Sequence, residues 1–416
     1  MVDPREPRRV WLCSAAGGVW VTSDTGRTWE SVWDDDLVQN IGALSLDPRA
    51  PHSLFVGTGE ANNRQTTSFG DGIYKTTDGG KTFTNVGLRE TQSIARIVID
   101  PRDPDVVYIA SPGHLFGPNA ERGVFKTTDG GGNWTKVKFV DENTGFTDIV
   151  MDPSNSSVLF AASYQRRRSG CCFNGGGAGS AMWKTSDAGR SWTKVTGGGL
   201  SPGTYGRIAL DMSRSNPNVI YAQVEAEGGA AAGEATPAGP AAVIGGAAGV
   251  AAGGAAGRGG AAAPALAAAF GGGRGGFDWC NNGARLATDT TTPPKLDVAK
   301  GGVFRSDNKG RSWTLQSNCN SRPMYFSQLR VDPSNPNTIY VAGLPVAKSL
   351  DGGKTFSTLD RAGNHGEPGH VDQHGIWIDP RNSNHIMEGN DGGLNISWDQ
   401  GKSWDFVNTM STGLAY

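Results

Sequence analysis

The sequence predicts an all-β fold, a seven-bladed β-propeller of four-stranded antiparallel blades. Three observations predict it. A short pattern, Ser/Thr-x-Asp-x-Gly-x-Ser/Thr-Trp/Phe, recurs seven times. An Asp-Pro turn followed by an apolar run precedes each copy. The copies are spaced 43 to 58 residues apart, except for a gap of 121 between Asp187 and Asn308. A period in this range with four short β-rich runs per unit reads as propeller blades, because one blade cannot bury both its faces alone.

The seven boxes are Thr22–Trp29, Thr76–Phe83, Thr127–Trp134, Thr185–Trp192, Ser306–Trp313, Ser349–Phe356 and Ser397–Trp404. Their acidic positions are Asp24, Asp78, Asp129, Asp187, Asn308, Asp351 and Asp399, with Asn308 standing for the carboxylate and Asn133 for the second hydroxyl. Each box is a self-contained turn. Its carboxylate accepts N–H groups of its own loop, and glycine supplies the corner with φ > 0. The closing aromatic is a large apolar body to bury against a neighbour. These residues are therefore expected to be structural despite their acidity.

The turn markers are Asp3, Asp47, Asp100, Asp152, Asp332 and Asp379, with Asp211-Met212 as the variant. A unit such as RIVIDPRDPDVVYIAS, a loop, then GVFKTTDGGGNWTKV reads as four strands. Residues 1–416 form one propeller on this reading. Blade 1 has only Met1 and Val2 before its Asp, so most of its innermost strand is missing, and the chain reads as part of a longer protein. Asp405–Tyr416 finishes a strand and then either completes blade 1, removing exposed edges, or opens an eighth unit.

The 62 glycines suit a turn-rich β protein. A net charge of −2 with both signs dispersed speaks against nucleic acid or an anionic membrane as partner. No stretch reads as transmembrane, and nothing calls for a cofactor. Residues 225–300 hold an Ala/Gly-rich insertion within blade 5, with too much glycine for a helix and little to pack, hence a flexible loop. Of five cysteines, Cys13 falls in a blade 1 strand. Cys171, Cys172, Cys280 and Cys319 fall in loops, as one or two bridges in an oxidising compartment or free thiols in a reducing one. No spacing suggests zinc.

Strand order places the Asp-Pro turns and the boxes on one end. Everything irregular then projects from the other: 57–72, 111–123, 139–148, 164–181, 316–328, 359–375 and the insertion. Variable loops on a rigid scaffold carry binding. Counting back four residues from each turn Asp gives Ala43, Arg96, Asp148, Arg207, Gln328 and Gly375 as the rim of the channel mouth. Arg96, Asp148 and Arg207 read either as an inter-blade ion-pair chain or as a guanidinium pair for an anion. In His370-Val371-Asp372-Gln373-His374, an extended backbone aims 370, 372 and 374 the same way. That arrangement serves as metal ligands, as a carboxylate-oriented general base, or as a hydrogen-bonded loop. Glu60, Asp141 and Glu142 are further carboxylates on this face.

Together with GTGEANNR (57–64), GHLFGPN (113–119), VDENTGFTDIVMDPSN (140–155), RPMYFSQLRVDP (322–333) and GNDGGLNISWDQGKSWD (389–405), the boxes resemble the bacterial sortilin/VPS10-like Asp-box (BNR-repeat) propellers. That family is often labelled glycosyl hydrolase because its repeats are similar to those of xyloglucanases. The resemblance implies export to the periplasm or beyond and a second propeller. Sialidases share the box but need an arginine triad and a Phe/Tyr-Arg-Ile-Pro segment, which is absent here. Xyloglucanase-like proteins place a cleft between two propellers, each giving one catalytic Asp, and no residue here matches that motif closely. Sortilin-type receptors bind peptides in or beside the channel. Photosystem assembly factors are a third precedent, with more compact units. The expectation is therefore a binding propeller for a polypeptide or glycan, using Arg96, Asp148, Arg207, Tyr325, Gln328, His370 and His374. The alternative is a glycoside hydrolase with paired carboxylates among Asp148, Asp372 and Glu60.

Overall fold

The structure is a computed structural model that describes residues 1–33, 38–62, 67–170, 172–226, 295–321, 323–343, 345–359, 372–407 and 410, and the backbone of 285–286. It is a seven-bladed β-propeller. Blade 2 shows the plan: Ile41–Leu46, Leu54–Thr58, Ile73–Thr76 and Thr84–Asn85 pair antiparallel in sequence order. Blade 3 runs from Arg96–Ile99 to Thr135–Lys138 and blade 4 from Thr144–Asp152 to Thr193–Lys194. Blade 5 comprises Tyr205–Met212, Ile220–Ala226, Gly301–Ser306 and Thr314–Ser317, so the insertion leaves between its second and third strands. Residues 227–284 and 287–294, where the flexible segment is expected, lie outside the described residues. Arg285–Leu286 adds a parallel strand to Thr355–Thr358, the outer edge of blade 6.

Blade 1 has three strands, Val10–Ser14, Gly18–Thr22 and Glu30–Ser31. Its inner edge is covered by Met1 and Val2, through a Val2–Val10 bridge and a bond from Trp11 N–H to the Met1 carbonyl of 2.7 Å. Blade 7 ends in Asp405–Val407, its outer strand. The expectation for the residues beyond falls mostly on 408–409 and 411–416, outside the described residues.

Alternation along each strand sends side chains to both faces of a blade, so the core divides into seven clusters, one per blade interface. In the inner strand of blade 5, Ile208 and Leu210 pack towards blade 4 while Ala209 packs towards blade 6. Val2 and Val10 of blade 1 meet Met387, Leu394 and Ile396 of blade 7, which closes the ring.

The boxes share one hydrogen-bond pattern. The first hydroxyl accepts the N–H of the glycine four residues on, at 2.7–3.0 Å. It donates to the acidic-position Oδ1 at 2.6–2.9 Å. The second oxygen takes the later hydroxyl, or Asn133 Nδ2, at 2.6–2.7 Å in six boxes. In blade 5 the Asn308 amide donates to Ser312 instead, at 2.8 Å. These bonds hold Asp24 and Asp129 down to about 2 and lower Asp78, Asp187, Asp351 and Asp399 too, in the last two against burial that pulls the other way.

The fourth box residue lies at φ 56–78° and the glycine after it at 78–104°. Two successive left-handed residues turn the chain so that the fourth N–H meets a carbonyl of the same blade's Asp-Pro-type turn, at 2.8–3.0 Å in all seven blades. That residue's carbonyl then faces the preceding blade. Arg9 reaches Gly79 O at 2.8 Å, Lys75 reaches Gly130 O at 3.0 Å, and Lys126 reaches Ala188 O at 3.0 Å. Lys184 reaches Lys309 O at 2.7 Å and Lys348 reaches Gln400 O at 3.1 Å. Each of these lysines crosses an aromatic ring of its own blade at 5.0–5.4 Å: Phe55, Tyr108, Phe160 or Tyr340. Blade 5 uses Arg305, which bonds Asn337 Oδ1 at 2.6 Å instead.

One marker is corrected. Ser213, not Asp211, stands at the turn position of blade 5: its N–H bonds Val219 O and its hydroxyl accepts Asn216 N–H, as Asp47 and Asp332 do in theirs. A serine hydroxyl caps such a turn as a carboxylate does. Asp211 lies two residues earlier, on the inner strand.

Candidate functional site

The irregular loops converge at one end of the ring, and buried arginines hold them there. Arg122 donates to Pro112 O at 2.8 Å, His114 O at 2.6 Å and Gly117 O at 3.4 Å, fixing the 111–123 loop. Arg166 of blade 4 reaches Ala61 O of blade 2 at 3.1 Å. Arg207 of blade 5 donates to Met324 O at 3.2 Å and Tyr325 O at 2.8 Å, and to Asn62 Oδ1 at 3.2 Å, so the 57–62 segment reaches across the mouth. Burial lowers all three guanidinium pKa values, to about 10 for Arg122 and about 9 for Arg166, without removing their charge at neutral pH.

Between these loops and the inner strands lies a polar cavity whose wall includes Glu60, Asn62, Arg96, Thr147, Asp148, Arg207, Gln328 and Arg330. Four of the six rim positions read from the sequence therefore meet: Arg96, Asp148, Arg207 and Gln328. Ala43 and Gly375 do not line it, and Ile41 and Gly42 take the place expected of Ala43. Because Ser213 marks the turn, Arg207 lies six residues before it rather than four. The even offset explains why it still belongs with the others.

Asp148 follows a register shift in the pairing of blade 4. Its Oδ1 accepts Ile149 N–H and its Oδ2 accepts Leu210 N–H of blade 5, both at 2.9 Å. Asp211 repeats the arrangement, taking Met212 N–H at 3.0 Å and Val331 N–H of blade 6 at 2.8 Å. Innermost strands are sheet edges, and each carboxylate satisfies an edge donor of the next blade. Arg96 Nε stands 3.7 Å from Asp148 Oδ1, an ion pair longer than a hydrogen bond, with the arginine side chain 30% exposed. Arg330 bonds Leu329 O at 2.7 Å and Gln328 Oε1 at 3.3 Å.

Tyr325 and His374 are brought together, their rings edge to face at 4.7 Å, with Phe326 at 5.6 Å from the imidazole. His374 is buried and 3.3 Å from Asp391 Oδ1, and burial lowers its pKa despite that carboxylate. His370 lies outside the described residues. The strand begins at Gln373, and Asp372 is left-handed at φ 68, so the extended alternation expected over 370–374 does not pass through Asp372. Among the described residues no group of three His, Cys, Asp or Glu side chains is placed to hold a metal ion.

Sequence reasoning missed Arg122, Arg166, Arg330 and Glu225. Glu225, at the root of the insertion, accepts Arg207 N–H at 2.7 Å, and burial pushes its carboxyl up to about 7. A β-carbon on Gly206 would fall 2.0 Å from its Oε2, so the carboxyl sits where only glycine leaves room. Cys172 and Cys319 are disulfide-bonded, while Cys13 is a free, half-buried thiol. Among the described residues no helix is long and apolar enough to cross a membrane.

A family model described as sortilin, neurotensin receptor 3 (Sortilin-Vps10) matches residues 71–231, which hold three of the boxes. Over that stretch the chain is similar to the sortilin/Vps10 family. Its curated relatives include a xyloglucanase of a Paenibacillus species, 26% identical over 44% of this chain and 19% of that protein. Another is a probable oligoxyloglucan-reducing end-specific xyloglucanase of Neosartorya fischeri, 23% identical over 53% of this chain and 30% of that protein. The matched stretches thus span a third or less of those relatives. Among solved structures, the GH74 enzyme of Niastella koreensis superposes with a TM-score of 0.51 at 19% identity, over 99% of this chain and 59% of that one. At that identity the likeness is one of fold. This Asp-box propeller therefore shares its fold with that enzyme.

Proposed function

We propose that this propeller acts on a polysaccharide as part of a xyloglucanase-like glycoside hydrolase, with the glycan lying over the loop face. The observation that supports this most is the polar cavity beneath that face, with Glu60 and Asp148 in its wall, in a chain whose relatives include xyloglucanases. Glycosidic cleavage needs two carboxyl groups, one of them protonated at the working pH. Glu225 holds its proton to about 7, the state a general acid needs. Glu60, buried at the cavity wall, is the second carboxyl candidate. An exported location belongs to the same proposal, supported by the disulfide-bonded Cys172 and Cys319. So does a second propeller, which the family resemblance implies.

A second reading is binding of a glycan or polypeptide without cleavage. It is favoured by Asp148, whose two oxygens each already carry a backbone N–H. One experiment separates them: reducing ends released from xyloglucan and mixed-linkage glucan, beside a pull-down on the same insoluble glucans. Release that Glu60→Gln or Glu225→Gln abolishes supports the enzyme. Retention without release supports binding alone. Neither release nor retention would sink the neutral-glucan form of the reading.

A further inference from the structure

The cavity wall carries three guanidiniums, Arg96, Arg207 and Arg330, against two carboxylates, Glu60 and Asp148. Their hydrogen bonds are unequally shared. Arg207 is occupied by loop carbonyls and Asn62. Asp148 is occupied by two backbone N–H groups, which leaves Arg96 only the 3.7 Å ion pair and no hydrogen bond to any described residue. Arg330 makes no ion pair within 4 Å among the described residues; Asp211, whose charge acts on it, is occupied by two backbone N–H groups as well. Beside them the hydroxyl of Thr147, a residue only 9% exposed, meets no hydrogen-bond partner among the described residues. A guanidinium that keeps free donors, next to a second cation and an unmatched buried hydroxyl, is a receptor for a planar anion.

We propose that this cavity binds the carboxylate of an acidic sugar, so that the glycan taken by this propeller bears uronate groups. Arg96 and Arg330 hold the carboxylate, and Thr147 donates its hydroxyl proton. Arg207 keeps the 57–62 and 324–325 segments in place around it. The inference rests on the polysaccharide reading and narrows its substrate class from neutral glucans to uronate-bearing ones.

The test is calorimetric titration of the full chain with three probes: a glucuronate-bearing oligosaccharide, the same oligosaccharide after carboxyl reduction, and inorganic phosphate. Expected is binding of the first, at least about tenfold weaker binding of the second, and no displacement by equimolar phosphate. Arg96→Gln and Arg330→Gln should each weaken the first at least about tenfold and leave the reduced sugar unaffected. Arg96→Gln should fold, because Asp148 keeps its backbone partners. If either variant unfolds, the salt dependence of the native chain serves, since an ion-paired carboxylate binds more weakly as salt rises. Equal affinity for acid and reduced sugar, or indifference to both substitutions, overturns the inference while the polysaccharide reading stands. Displacement by phosphate overturns it too, as a general anion site. Binding of neither sugar, with neither retention nor release of the neutral glucans, defeats the polysaccharide reading itself.

Discussion

The Asp148 carboxylate of blade 4 accepts the backbone N–H of Leu210 in blade 5, Oδ2 to N at 2.9 Å, and Asp211 does the same for Val331 one blade further on. These two carboxylates are links between inner strands, made where a propeller exposes sheet edges to its own axis. The place of Asp148 in the cavity wall is also what makes it look catalytic in the sequence.

Asp148→Ala should therefore act first on stability. It strands two N–H donors, those of Ile149 and Leu210, at a cost of about 2–4 kcal/mol. A lowered unfolding midpoint is expected in urea. Activity loss with an unchanged midpoint would show instead that the carboxylate works on substrate.

Arg122→Ala should loosen one loop. Three carbonyls, of Pro112, His114 and Gly117, lose their donor, costing about 2–4 kcal/mol locally. Limited proteolysis is expected to cut within 111–123 in the variant and not in the native chain. Equal cutting of both would discount the staple.

Glu225 predicts a pH dependence of unusual sign. Its folded pKa, about 7, lies above the ordinary carboxyl value. The folded state therefore holds the proton more tightly, and the stability this gives is lost as pH rises from the unfolded value through 7. Glu225→Gln should raise the thermal midpoint relative to the native chain at pH 8 and change it little at pH 4. A constant difference across that range would remove Glu225 as the cause.

The boxes predict the opposite at low pH. Asp24 and Asp129, held to about 2, contribute stability that is present above the ordinary carboxyl range and lost as pH falls towards 2. The thermal midpoint should decline between about pH 4 and 2. An Asp24→Asn, Asp129→Asn variant should flatten that decline, because Asn308 shows that the amide fits the same turn. An undiminished slope would assign the acid limb to other groups.

Blade number, ring closure and the division into a regular and an irregular end were legible in the chain, because box and turn repeat in every unit and each repeat does the same physical work. The channel rim was legible in part. Arg96, Asp148 and Gln328 keep a fixed distance from their turn, whereas Ser213 hid the true register of blade 5 by capping with a hydroxyl. Arg122 and Arg166 were illegible because their partners are main-chain carbonyls, which carry no sequence signal. Glu225 read as the first residue of the Ala/Gly-rich insertion, and only its burial, against the opposing pull of Arg207, raises its proton affinity.

At five of the blade junctions the cation that crosses ends on a main-chain oxygen at the fourth box position, be it Gly79, Gly130, Ala188, Lys309 or Gln400. Recognition of the neighbour thus depends on the bend of its chain and not on which residue makes the bend. Adjacent units can diverge in sequence, or be copied and reordered, without losing their grip on each other. That freedom suits a scaffold whose repeats keep one contour while the loops above them take on separate tasks.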